Sequence, residues 1–192
     1  MTSTIHNYLK EFKPISLAEM DEISLLRRYD QKFTITTSQF QFVFPLLAKD
    51  YHCLTIENQQ LFEYTTDYYD SNDYSMFNDH HNGKLNRYKI RFRDYVNTKN
   101  SFLEIKFKTN KGETIKSRQE IAYKSREFNL ENNKFIGENS PYNPSNLDKK
   151  LSNTFQRITL ANVANKERVT IDNDINFSNS IFETIVDKFL NF

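Results

Sequence analysis

The sequence predicts an α+β fold in which flanking helices surround an antiparallel β-barrel. Three observations lead there. Three stretches in a row within residues 86–122 alternate charged and apolar side chains. Aromatic residues make up 15% of the chain, with 11 Tyr and 17 Phe, which suits strands. Further stretches with one charged face stand on either side of that central block.

In NRYKIRFRDY, Lys89, Arg91 and Arg93 share a face opposite Tyr88, Ile90 and Phe92. In SFLEIKFK, Glu104, Lys106 and Lys108 oppose Leu103, Ile105 and Phe107, and in ETIKSRQEIA, Lys116, Arg118 and Glu120 oppose Ile115 and Ile121. Alternation of period two marks a strand with two unlike faces. For one strand alone, a solvated charged face is the ordinary reading. Three neighbouring strands change the balance, because like charges collected on one face repel. A sheet closed with that face inside would turn the repulsion into a positive tunnel suited to a polyanion.

Taken in order, residues 1–24 read as a leader with a short helix. Ser16 caps it and it runs through Leu25, with Leu17, Met20 and Ile23 at helical spacing. RRYDQKFTI is a further charged-face strand, with Arg28, Asp30, Lys32 and Thr34 alternating with Tyr29, Gln31, Phe33 and Ile35. Thr36, Thr37 or Ser38 caps a helix over 39–49 whose stripe is Phe40, Val43, Phe44 and Leu47, and Pro45 predicts a kink or an early end. Strands are expected over 51–56 and 61–69, then a short helix, YSMFNDHH, that stops at Gly83. Gly112 marks the hairpin before the third central strand. Residues 125–153 read as helix and loop, with 146–153 helical. FQRITL and ERVTID complete the strands: Arg157 lies opposite Ile158 and Leu160, and Arg168 and Asp172 lie opposite Val169 and Ile171. No internal repeat or boundary is visible, so residues 1–192 are expected to form one domain.

Composition excludes several classes. With 26 Lys+Arg against 25 Asp+Glu the net charge is +1, so no global field recruits nucleic acid. A single cysteine, Cys53, rules out an intramolecular disulfide and a cysteine-built zinc site. No apolar run approaches the ~18 residues of a spanning helix, and the N-terminus lacks a signal-peptide core. A cytoplasmic protein that does not itself insert into a membrane is the expectation. Phosphate-loop, dinucleotide and zinc-protease motifs are missing. His80 and His81 are adjacent, so a regular element cannot aim both at one ion. Cys53 lies in an apolar strand, which favours burial over nucleophilic use.

Each patterned cation taken singly reads as a solvated charge. Jointly, Lys32, Arg91, Arg93, Lys106, Lys116, Arg118, Arg157 and Arg168 point to a shared basic interior. Arg91 and Arg93, about 7 Å apart on one strand face, could hold neighbouring phosphates through paired hydrogen bonds. The interleaved carboxylates Asp30, Glu104 and Glu120 have two candidate roles. One is to neutralise the cations of an empty tunnel; the other is to hold a divalent ion that bridges phosphate oxygens.

RYDQKF, YTTDYYD, HHNGKLNRYKIRFRDY, FLEIKFKTNKGETIKSR, FQRITL and ERVTID, in that order, resemble the VTC domain of polyphosphate polymerases, a family of triphosphate tunnel metalloenzymes. The resemblance runs from about residue 27 to residue 172. It implies an antiparallel tunnel that takes the γ-phosphate of ATP and adds it to a growing polyphosphate chain, using a divalent metal, Mn2+ rather than Mg2+. Carried over, Lys32, Arg91, Arg93 and Lys106 match catalytic positions of the family, and Arg157 and Arg168 match substrate-binding ones. Lys116 and Arg118 join the substrate contacts by strand parity, and Glu104 is the metal candidate. The implied partners are ATP and polyphosphate, with no nucleic acid. The implied location is the cytoplasm, peripheral to the inner face of a membrane and beside a membrane-protein partner.

The chain departs from the family pattern after ERVTID. The family continues into a strand with a Glu-x-Lys core that carries the principal metal-binding glutamate, whereas this chain reads INFSNSIFETIVDKFLNF. Glu183 stands in unlike surroundings and is not assigned to that role. The expectation is a C-terminally truncated domain whose barrel lacks a wall. Two alternatives to the polymerase stay open: a non-catalytic module that binds triphosphate or polyphosphate, and a triphosphate hydrolase of the same superfamily.

Overall fold

The computed structural model describes residues 2–22 and 30–179. They group into two compact units, Met1–Phe62 with Arg157–Asn173, and Glu63–Gln156 with Asp174–Phe192.

The first unit begins with α1 (Thr2–Leu9), whose Ile5 and Leu9 lie one turn apart on a buried face. Phe12 follows, then β1 (Lys13–Ile15) and α2 (Leu17–Glu22). Ser16 caps α2 as expected: the Glu19 N–H donates to Ser16 Oγ, and the Ser16 N–H donates to Glu19 Oε2 at 2.8 Å. The expected continuation to Leu25 lies outside the described residues. In α3 (Thr37–Leu47) the cap is Thr36, paired reciprocally with Gln39. Pro45 sits in the last turn, and the helix ends two residues beyond it, because the ring supplies no N–H and crowds the preceding carbonyl. Phe44 of α3 is 1% exposed and stacks on Phe40 at 4.6 Å and Phe12 at 4.8 Å. With Ile5, Leu9, Cys53, Ile158 and Leu160 it forms the core of this unit. Val43, expected on the apolar stripe, is exposed instead. β2 (His52–Leu54) runs parallel to β1.

The second unit holds all but the first residue of β3 (Phe62–Ser71), and α4 (Ser75–His81), β4 (Arg87–Tyr95), β5 (Asn100–Lys108), β6 (Thr114–Ile121) and α5 (Leu130–Asn139). The three central strands stand where alternation placed them. They form an antiparallel meander with β3, and Gly112, at φ 80, turns β5 into β6. Gly83, at φ 67, follows α4 as expected. Asp70 organises the start of that helix by accepting the N–H groups of Met76 at 3.0 Å and Phe77 at 2.8 Å. Tyr69, Met76, Ile90, Phe92, Leu103, Ile105, Ile136 and Leu147 make the core, with Ile136 of α5 laid onto the apolar face of the meander.

Two long strands, β7 (Leu147–Asn162) and β8 (Glu167–Ser178), contribute residues to both units. The strand order is β1-β2-β7-β3-β4-β5-β6, with β8 pairing β7 off that path.

Three expectations need correction. The fold is α+β, but the sheet is mixed, since β1 and β2 are parallel, and its path among the described residues is open rather than a closed antiparallel barrel. Residues 30–36 carry no regular secondary structure, so Lys32 is on an exposed irregular segment and not on a strand; Arg28 and Tyr29 lie outside the described residues. Alternation makes a strand only where a neighbour accepts its backbone hydrogen bonds. The helix expected over 146–153 is instead the start of β7: a 3-10 turn at Pro144–Asn146 delivers the chain to Leu147, which is buried in the second core. Pairing beside β3 decides this polar stretch, where local propensity is weak.

Candidate functional site

The register of β4, β5 and β6 sorts the cations of the second unit into rows across the sheet. Arg87 pairs with Lys108, which pairs with Thr114. The next row is Lys89, Lys106 and Lys116; then come Arg91, Glu104 and Arg118; then Arg93, Phe102 and Glu120. Residues directly opposite have Cβ atoms about 5 Å apart, and successive rows step by about 7 Å. One sheet face therefore gathers six of the residues singled out in the sequence: Arg91, Arg93, Glu104, Lys106, Lys116 and Arg118. Tyr68 and Thr66 of β3 extend the Arg91 and Arg93 rows.

The two arginines are held differently. Arg91 donates Nε to Glu104 Oε2 at 2.6 Å and reaches the same oxygen with Nη2 at 2.6 Å. Burial works against its charge, but the Glu104 carboxylate and the Tyr68 hydroxyl outweigh burial and raise its pKa further. Arg93 is 8% exposed; the described groups that hydrogen-bond to it or stack on it are neutral, while the Glu104 carboxylate attracts it electrostatically. Its Nε donates to Thr66 Oγ1 at 3.1 Å, and its guanidinium lies over the rings of Tyr64 at 5.7 Å and Phe155 at 5.8 Å. Burial and then the charge of Arg91 push its pKa below the ordinary value, and the attraction of the Glu104 carboxylate offsets them only in part. A guanidinium stays charged in a protein, so Arg93 is a buried cation that an anion would stabilise.

Arg118 stacks its guanidinium over Phe102 at 4.9 Å, on the same face. Lys106 and Lys116 are exposed. Glu104 stands between Arg91 and Arg118 in its row, and its Oε2 already accepts two donors from Arg91. Among the described residues no group of three His, Cys, Asp or Glu side chains converges as a metal site would require. The described carboxylates do not by themselves make up a metal centre.

Lys32, Arg157 and Arg168 belong to the first unit. Arg157 forms a bidentate pair with Asp172 of the adjacent β8, Nε to Oδ1 at 2.5 Å and Nη2 to Oδ2 at 2.7 Å. Arg168 Nη2 donates to the Met20 carbonyl at 3.4 Å.

Sequence reasoning assigned nothing to Arg126, which anchors the opposite face of the meander. It donates Nε to Asp67 at 2.6 Å, Nη2 to Asp94 Oδ2 at 2.7 Å and Nη1 to Asp94 Oδ1 at 3.1 Å. Ser152 also donates to Asp67, and Ser101 to Asp94. A signal existed: Asp94 shares parity with Ile90 and Phe92, and a carboxylate on a core face calls for a cation.

The fold and this face define a class, an α+β domain whose antiparallel meander buries one face and presents cations on the other. The VTC domain model matches residues 27–191, and the chain belongs to the VTC domain family. No curated protein matches the chain. Among solved structures it is similar to the PH1819 protein from Pyrococcus Horikoshii OT3, at 10% identity and a TM-score of 0.37 over 77% of this chain and 78% of that one. No helix among the described residues is long and apolar enough to cross a membrane.

Proposed function

We propose that this VTC domain handles polyphosphate: the cationic face of β4–β6 binds the triphosphate of ATP and the end of a polyphosphate chain, and the γ-phosphoryl group passes from one to the other. The observation that carries the reading is Arg93, a buried guanidinium held by neutral groups one row from Arg91. In the transfer, a terminal phosphate oxygen of the chain attacks the γ-phosphorus, the bond to the β,γ-bridging oxygen breaks, and ADP leaves with that electron pair. Arg91, Arg93 and Lys106 would orient the two anions and offset charge on the equatorial and leaving oxygens, which is most of what phosphoryl transfer asks of a protein. The Mn2+ that the resemblance implies would add charge neutralisation when bound. The described donor set does not hold it, and no step is assigned to it. The reading locates the protein in the cytoplasm, where ATP is supplied, at a membrane-protein partner.

A non-catalytic binding module is the second reading. It is favoured by the engagement of Glu104 with Arg91, which leaves no cluster of three carboxylates on the face among the described residues. A hydrolase would use the same face, with water as the attacking group.

Incubation of the protein with ATP and Mn2+, resolved on a gel for polyphosphate, separates the three. A ladder supports transfer, orthophosphate alone supports hydrolysis, and tight triphosphate binding without turnover supports the module. Arg93→Met keeps the buried volume and removes the charge. It should retain the fold, as replacements of buried charges by apolar residues often do, while triphosphate affinity falls by about tenfold or more. Unchanged affinity in Arg93→Met would sink all three readings of this face.

A further inference from the structure

The first unit holds a cleft of about 610 Å³ that shares no residue with the cationic face; Lys13, Ile15, Glu19, Glu22, His52 and Lys166 line it. Register explains its floor. Lys13 of β1 pairs with His52 of β2, which pairs with Ala161 of β7, so these side chains share one side of the sheet. Cys53, the next residue, takes the other side and enters the core with Leu160. The helix α2 supplies the two carboxylates, Glu19 and Glu22, three residues apart on one helix face. It is held in place by Met20, which is 2% exposed and whose carbonyl accepts from Arg168 at 3.4 Å. Lys166 comes from the turn between β7 and β8. His52 Nδ1 is buried without a hydrogen-bond partner. Among the described residues Lys13, Lys166 and Glu22 form no ion pair, although both signs of charge line the cleft. Glu19 accepts the Ser16 N–H at 2.8 Å and the Ser16 hydroxyl at 2.6 Å, both on Oε2, which leaves Oε1 for a ligand. Those bonds hold its carboxyl below the ordinary 4.5, and attraction to His52 adds to the effect.

We propose that this cleft binds a small zwitterion of the amino-acid or short-peptide class. Its ammonium group faces Glu19 and Glu22, its carboxylate faces Lys13 and Lys166, and a polar group between them bonds His52 Nδ1. A pure anion would meet two carboxylates and a pure cation two ammonium groups, and both encounters are repulsive. A ligand that carries both signs avoids each repulsion and supplies the missing partners. A bare divalent ion fits less well, because among the described residues no three His, Cys, Asp or Glu side chains converge on one point. Size agrees with the assignment. The cleft falls within the range of small-molecule sites, about 300–1,000 Å³. From Lys13 to the Ala161 position is two strand spacings, about 10 Å, and a peptide of two or three residues spans about 7–10 Å. Val163, half exposed beside the cleft, offers apolar surface to a ligand side chain. Lys13, Glu19 and Glu22 precede residue 27, where the VTC match begins, so the cleft depends on a segment outside the matched region. The inference stands independently of the functional reading of the cationic face.

The test follows the ring signals of the four histidines by NMR, in the full chain at fixed pH, during titration with trialanine, which carries both charges. N-acetyl-trialanine keeps only the carboxylate, trialanine amide keeps only the ammonium, and tripolyphosphate is a pure anion. A His52→Gln variant assigns the His52 signal. That signal should shift and saturate with trialanine at a dissociation constant of about 1 mM or below, while those of His6, His80 and His81 stay in place. Each capped peptide should bind about two- to fivefold more weakly, the range of an exposed ion pair. Glu22→Gln and Lys166→Gln, both at exposed positions, should each weaken trialanine by a similar factor and keep the wild-type thermal midpoint. Glu22→Gln should not weaken N-acetyl-trialanine, nor Lys166→Gln the amide, a crossed pattern that a loss of structure would not give. No shift of the His52 signal at about 10 mM trialanine would overturn the proposal. Equal affinity for trialanine and both capped forms would overturn the zwitterion assignment. Tighter binding of tripolyphosphate than of trialanine, read at His52, would overturn it in favour of an anion site.

Discussion

Glu104 stands directly opposite Arg91 across β4 and β5, and one of its oxygens accepts both Nε and Nη2 of that arginine at 2.6 Å. The carboxylate therefore acts as an internal counter-ion, occupying the donors that a phosphate would use. Replacing it by glutamine should lower stability by about 1 kcal/mol. It should also tighten tripolyphosphate binding up to about fivefold, because the incoming anion no longer competes with a resident one. Calorimetry with and without Mn2+ checks this. A loss of affinity seen only with metal would instead make Glu104 a metal ligand.

Arg126 joins two carboxylates beneath the helix-covered face, and Asp94 is 1% exposed. Arg126→Ala leaves both without their cation and should cost about 3 kcal/mol, read as a lower urea midpoint with unchanged slope.

Asp67, in the same network, makes that cost dependent on pH. Burial works to raise its pKa, but the hydrogen bonds from Ser152 and Arg126 and the charges of Arg126 and Lys149 outweigh it, holding the carboxyl below the ordinary 3.8. A depressed folded pKa contributes stability that is present above the unfolded value and lost as the pH falls through the folded one. The difference in unfolding free energy between wild type and Asp67→Asn should be full at neutral pH and shrink below about 3.8. Denaturant melts across the acid range measure it, and a difference that grows toward low pH would contradict the sign.

Cys53 is completely buried in β2, and burial pushes its thiol pKa up to about 12. Thiolate is the reactive form, so native protein at mildly alkaline pH should resist alkylation while unfolded protein reacts at the rate of a free cysteine. Fast native labelling would place Cys53 outside the core.

Alternation alone located β4, β5 and β6 and stated which of their side chains share a face, because a pleated strand sends neighbours to opposite sides whatever surrounds it. Caps and breakers were equally legible: Ser16, Thr36, Pro45, Gly83 and Gly112 act within a few residues of themselves. What reached across the chain was not legible. RYDQKF has the alternation of a strand, yet residues 30–36 form none, since a strand exists only with a partner and no local pattern supplies one. The polar run after Pro144 became the start of β7 for the converse reason, a partner in β3.

The amino-acid pattern by itself determined that this protein has a sheet face rich in cations, with Arg91, Arg93, Lys106, Lys116 and Arg118 on it. Only the tertiary structure decided how those cations stand to one another. It paired Arg91 with Glu104, buried Arg93 beside Thr66 and two rings, lined up three lysines in one row, and gave Arg157 to Asp172. The face of a side chain is a property of its own strand. Its partner depends on the register between strands, which the whole fold sets.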